Sequence, residues 1–135
     1  LSENRKFRLT LKKFKEIQKK KTSLLIAFCT LTGAILGNAS IKEQKDMFEI
    51  GVLIGALFQI QDDILDQEGN EEEMGKKVGK DKDFNKATII RLKGIDYAKK
   101  EIIKVGEKIK NKLSSINKNT DKLINLTNFL MHRTS

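Results

Sequence analysis

Residues 51–60, GVLIGALFQI, are apolar around every side of a helix, and this constrains the chain more than any other feature. A helix with no polar face must be covered all round, so it belongs in the middle of a bundle. Its beginning is marked too. Ser40 followed by Glu43 is a capping-box signature, and it predicts a helix from there to about Asp66. Long helices are permitted throughout, because none of the 135 residues is Pro.

The remaining pattern is also helical. Phe14, Ile17, Lys21, Leu24, Leu25 and Phe28 recur at helical spacing, which predicts one long helix or two in series over Phe7 to Gly37. The small residues Thr32, Gly33, Ala34 and Gly37 predict a close helix approach or a break. Gln67 to Asn85 carries Gly69, Gly75, Gly79 and many charges and reads as a loop, with a short helix over 85–92. Ile95 to Leu113 is amphipathic, with Ile95, Ala98, Ile102, Ile109 and Leu113 in phase. Asn119 to His132 reads as a last helix with Leu123, Leu126 and Leu130 inward. No segment alternates like a strand. The expected fold class is all-α, a single domain or part of one over residues 1–135. The chain begins at Leu1, which reads as a piece of something longer.

Composition excludes several classes of function. Cys29 is the only cysteine, so no intrachain disulfide can form; in its apolar run it reads as a small core residue. A lone His132 cannot build a zinc site or a catalytic triad. The net charge is +9, but no basic stripe interleaved with aromatics is present, so nucleic acid is not expected as a partner. Leu24 to Leu36 and Gly51 to Ile60 are too short and interrupted to span a bilayer. With no signal peptide or lipidation motif, a cytoplasmic setting is expected.

Chemistry concentrates where the apolar helix ends. Asp62 and Asp66 lie one turn apart on one face, with Asp63 beside them and Gln59 one turn earlier. Like charges this close repel, and a helix C-terminus would add to the penalty. A bound cation reverses both effects, and oxygen-only ligands suit magnesium. GKKVGKD follows at Gly75 to Asp81, with Lys86 five residues on; its lysines suit phosphate oxygens. The spacing matches neither a Walker loop nor an EF-hand. Lys21 falls on the apolar stripe of the first helix, so it either snorkels to water or meets an anion, with the Thr22 hydroxyl beside it. Phe58 reads as core, and Glu71, Glu72 and Glu73 as solvated loop charge.

Together these residues resemble the C-terminal half of a trans-isoprenyl diphosphate synthase, the farnesyl and geranyl diphosphate synthase family. FQIQDDILD, Phe58 to Asp66, is similar to that family's second aspartate-rich motif. GKKVGKD, Lys86 in KAT, Lys21-Thr22 and the ending FLMHRTS match in order and spacing. The first aspartate-rich motif is absent. The resemblance implies an antiparallel helical bundle of the isoprenoid synthase type, with only its C-terminal half in this chain. It implies a magnesium-dependent prenyltransferase of isoprenoid biosynthesis, acting on an allylic diphosphate and isopentenyl diphosphate as a cytoplasmic homodimer. Asp62 would bind magnesium, with Asp63 and Asp66 close by. Lys21, Lys76 and Lys86 would hold the allylic diphosphate, and Arg133 would approach the second diphosphate. Thr22, Gln59 and the Lys21 carbonyl would face the developing cation. With half a site, the chain is expected not to catalyse unaided. The alternative is a non-catalytic regulatory or partner-binding helical module derived from the same family.

Overall fold

The computed structural model describes residues 11–74 and 93–133, and within them the regular structure is helical with no strand. Helix α1 spans Leu11–Leu36, α2 Ile41–Met74, α3 Ile95–Ser114 and α4 Asp121–His132. The all-α expectation holds. Helix α2 packs against each of the other three, as an element apolar on every side requires.

The turn between α1 and α2 is encoded locally. Asn38 takes the left-handed conformation at φ 58°, where Asn is tolerated better than most residues. The Ala39 amide donates to the Ala34 carbonyl at 3.0 Å and the Asn38 amide to Ile35 at 3.1 Å, closing α1 as a Schellman motif. Two residues later the capping box forms as expected. The Ser40 amide donates to Glu43 Oε1 at 2.9 Å, and the Glu43 amide to Ser40 Oγ at 3.1 Å.

Helices α1 and α2 run antiparallel and unusually close. A Cβ added at Gly51 would lie 2.4 Å from Ala27 Cα, and one at Gly55 would lie 2.7 Å from Ser23 Cα. Thr30 Oγ1 reaches across to the Met47 carbonyl at 2.7 Å. The contact is a ladder at a spacing of about four residues. Thr30, Ala27, Ser23 and Lys19 descend α1 while Gly51, Gly55, Gln59 and Asp63 ascend α2. Rows at this spacing lie on one helix face, and small residues let the backbones approach.

This ladder corrects the expectation for α1. The apolar row at Ile17, Leu24, Leu25 and Phe28 does not face α2; each of these residues is exposed. Cys29, expected in the core, is exposed as well, and Ala27 is the fully buried residue of that turn. Close approach occurs at Ser23 and Ala27, whereas Gly33 has open space around it.

Buried Ile50, Ile54, Leu57 and Ile64 of α2 meet Ala98, Ile102, Ile109 and Leu113 of α3 and Leu130 and Met131 of α4 in one core. Ile95 packs at its edge, so the phase expected for α3 holds. In α4, Leu130 is buried and Leu123 packs on the core, but Leu126 is exposed and Thr127 is buried in its place. The Thr127 hydroxyl satisfies itself on the Leu123 carbonyl at 2.8 Å, so burying it leaves no orphan donor. Helix α2 also runs beyond the expected end near Asp66. Residues 67–74, including Gly69 and the backbone of Glu71 to Glu73, are helical. The rest of the expected loop and the short helix over 85–92 lie outside the described residues.

Two ion pairs make the bundle sensitive to acid. Lys112 Nζ contacts Glu49 Oε2 at 2.9 Å, joining α3 to α2, and Lys118 contacts Glu43 Oε1 at 3.2 Å. The Lys112 ammonium holds the Glu49 carboxyl below its ordinary value of 4.5. The Ser40 amide, and then Lys118, do the same for Glu43. Both groups titrate lower folded than unfolded. Their stabilisation is complete above the unfolded value and is lost as pH falls through the folded ones. The thermal midpoint is expected to decline on acidification below about pH 4.5. Glu49→Gln should lower the midpoint at neutral pH and make that decline shallower, which a series of melts across pH would record.

Candidate active site

The site lies where the first half of α1 meets the second half of α2. Gln59 Nε2 donates to the backbone carbonyl of Lys19 at 2.8 Å, across 40 residues of sequence. One turn on, Asp63 Oδ2 accepts from Lys19 Nζ at 3.1 Å. These two contacts bring the Lys-Thr pair of α1 and the aspartates of α2 to the same end of the ladder. Thr22 is partly buried there, and Lys21, two residues from the Lys19 anchor, is exposed.

Asp62 faces the other way, toward the segment after α4. The Arg133 guanidinium donates to Asp62 Oδ1, and its Cζ stands 4.7 Å from the centroid of the Phe58 ring. A cation over an aromatic face is attracted by the ring quadrupole. The Arg133 carbonyl accepts from Gln61 Nε2 at 3.0 Å, and the buried Gln61 amide also reaches the Met131 carbonyl at 3.4 Å. Phe58 packs against the core, as expected, and also floors the Arg133 position.

The electrostatics differ from the sequence expectation in one respect. Asp62, Asp63 and Asp66 do not end their helix, because α2 continues to Met74. The helix dipole acts only within the last turn, so it adds no penalty at these positions. Mutual repulsion remains, and cations from two other segments relieve it: Lys19 at Asp63 and Arg133 at Asp62.

The two paired carboxylates differ in access. The Asp62 side chain is 50% exposed and that of Asp63 only 14%. Asp66 is exposed. Among the described residues, no group of three or more acidic, His or Cys side chains is arranged to hold a metal ion. A cage made wholly of protein ligands is therefore not what these residues form. One or two carboxylates open to solvent fit magnesium, which keeps waters and shares its shell with substrate phosphates. Lys76 and Lys86 lie outside the described residues.

Two residues of the site escaped the sequence reading. Lys19 sits among three consecutive lysines and off the apolar stripe. Its signal is the four-residue spacing to Ser23 and Ala27, opposite the same spacing from Gly51 to Asp63. Gln61 is buried in an apolar run, where an amide must find a partner. Among the described residues, no helix is long and apolar enough to cross a membrane.

Comparison with known proteins places the chain in a family. The polyprenyl synthetase family profile matches residues 1–127. The chain is 40% identical over 101 residues to the farnesyl diphosphate synthase of Bacillus subtilis, covering 75% of this chain and 33% of that protein. It is 38% identical over 94 residues to the farnesyl diphosphate synthase of Geobacillus stearothermophilus, covering 70% and 32%. It is 32% identical over 133 residues to the geranylgeranyl diphosphate synthase of Cyanophora paradoxa, covering 98% and 44%. The chain thus spans about a third of the length of the bacterial curated relatives it matches. With the family profile matched along nearly all of its length, this chain belongs to the polyprenyl synthetase family.

Proposed function

We propose that this chain carries the second aspartate-rich motif of a prenyl diphosphate synthase. The whole protein would transfer an allylic group from its diphosphate to isopentenyl diphosphate. The observation that carries this reading is the Gln59–Lys19 bridge at 2.8 Å, which joins QIQDD to KKKT. The bridge sets the aspartates and the lysine-rich turn before Thr22 at one end of the ladder, which supports reading them as one site.

In this reading the allylic diphosphate binds at the mouth of the ladder. Lys21 meets its oxygens as a point charge, with Lys76 and Lys86 as further cations. The carbon–oxygen bond ionises as negative charge collects on the leaving diphosphate. Magnesium, when bound, supplies Lewis-acid neutralisation of that charge. Asp62 would be its direct protein ligand, with Asp66 and Asp63 nearby. Gln59, Thr22 and the α1 carbonyls turn dipoles toward the allylic cation, positioned beforehand rather than reorganised during reaction. The double bond of isopentenyl diphosphate attacks that carbon, and a proton leaves the adduct. A homodimer and a cytoplasmic setting go with this reading. So does covering of the apolar face at Leu24, Leu25 and Phe28 by the rest of the protein or a second copy.

The test is prenyl transfer from an allylic diphosphate to labelled isopentenyl diphosphate, run with this chain and with the full-length protein. Product is expected from the full-length protein alone, and chelation of magnesium should abolish it. No product from either would sink the synthase reading and favour a non-catalytic module.

A further inference from the structure

The Asp62–Arg133 pair stands where a metal ligand is needed. We infer that Arg133 is the resident counterion of Asp62, which a divalent cation exchanges off when it binds. This rests on the reading of Asp62 as a magnesium ligand.

Three observations carry it. First, the pair is lopsided: Asp62 is 50% exposed, while the Arg133 side chain is only 12% exposed. A cation can approach the carboxylate from solvent before the guanidinium leaves its recess. Second, Arg133 is anchored by its backbone, through the Gln61 amide at 3.0 Å, so its side chain can swing without α4 moving. Third, Arg133 Nε is buried with no hydrogen-bond partner among the described residues. A buried donor left unpaired is costly, so Asp62 and the Phe58 face hold the guanidinium in a position that does not satisfy it. Two arrangements of one side chain, biased by a cation, make a two-state element.

Asp63 shows the contrast. Its carboxylate is 14% exposed and the Lys19 side chain 41%, so the anion is the enclosed partner there. A cation from solvent meets Lys19 before it meets Asp63. The two adjacent aspartates therefore divide the work: Asp62 exchanges its partner, and Asp63 keeps α1 in register. The exchange also frees a planar fork suited to phosphate oxygens at the moment a cation arrives.

Manganese is the probe, as a paramagnetic stand-in for magnesium, titrated into the full-length protein without substrate and followed by electron paramagnetic resonance. If Arg133 occupies Asp62 about nine-tenths of the time, Arg133→Gln should bind manganese on the order of tenfold more tightly. Lys99→Gln removes the same charge from the neighbouring Glu68 pair and should shift affinity less than about twofold, since exposed charges are screened. Equal or weaker binding by Arg133→Gln would overturn the inference while leaving the metal site in place. No manganese binding by wild type or variant would remove the metal reading itself, and the inference with it. Should Arg133→Gln fail to fold, the wild type answers through its arginine Nε–Hε NMR resonances. One of them is expected to move with the same midpoint as magnesium binding. Resonances that stay fixed while metal binds would overturn the exchange.

Discussion

Asp62→Asn in the full-length protein is expected to lower kcat for prenyl transfer by roughly a hundred- to a thousandfold, the cost typical of removing one preorganised electrostatic group. The substitution keeps the shape and removes the charge. Of the two aspartates paired with cations, Asp62 has the more open carboxylate. The loss should therefore fall on kcat and metal affinity, with helix content by circular dichroism unchanged. Asp63→Asn is the discriminating partner. Its carboxylate is enclosed against Lys19 at 3.1 Å. That change should loosen α1 against α2, lower the thermal midpoint and raise KM through Lys21. If the two variants exchanged these signatures, Asp63 would be the ligand and the division proposed above would be wrong.

Gly51→Ala is expected to destabilise the fold by about 2–3 kcal/mol, the upper range for overpacking a tight contact. In an open helix the same change stabilises by about 0.5–1 kcal/mol, because Ala is the better helix former. The sign is decided by what the new methyl meets. At Gly51 it would lie 2.4 Å from Ala27 Cα and 2.9 Å from Ala27 N, and backbone atoms cannot swing aside. The helices would have to separate, straining the Gln59–Lys19 bridge farther along. Gly33 has nothing within 4 Å, so Gly33→Ala is expected to stabilise by the ordinary amount. Urea unfolding of the two variants beside wild type measures both signs. Stabilisation of both would mean that α1 and α2 do not approach so closely.

The comparison of these glycines also explains what could be read in the sequence. The start of α2 was legible because Ser40 and Glu43 act within four residues of chain, with no help from tertiary structure. Its end was not. Gly69 and the acidic run look like a loop, yet one helical glycine costs only about 1 kcal/mol and glutamates are good helix formers. The packed face of α1 is not legible in the sequence for a different reason. Hydrophobicity marks a face that packs side chain against side chain. Here the packed face is Ser23, Ala27 and Thr30, chosen for smallness, and the larger apolar residues lie elsewhere. At the site, the aspartates and Gln59 stood out because charge beside an apolar run is conspicuous. Lys19 did not, because its identity in KKKT is indistinguishable from that of its neighbours until the ladder gives it a partner.

The junction between α1 and α2 has a kinetic consequence. Contacts along the ladder lengthen in order: Thr30 to Met47 spans 17 residues, Lys19 to Gln59 spans 40 and Lys19 to Asp63 spans 44. Once the Schellman turn and capping box close the near end, each further rung extends a loop that is already closed, and loop entropy rises only slowly. The pair zips like a hairpin from the turn outward. Rungs farther from the turn fray before nearer ones, and Gln59, Lys19 and Asp63 lie farther from it than Thr30 and Met47. Breathing of this end can therefore occur without disturbing the core that Leu57 and Ile109 fill at the middle of the bundle.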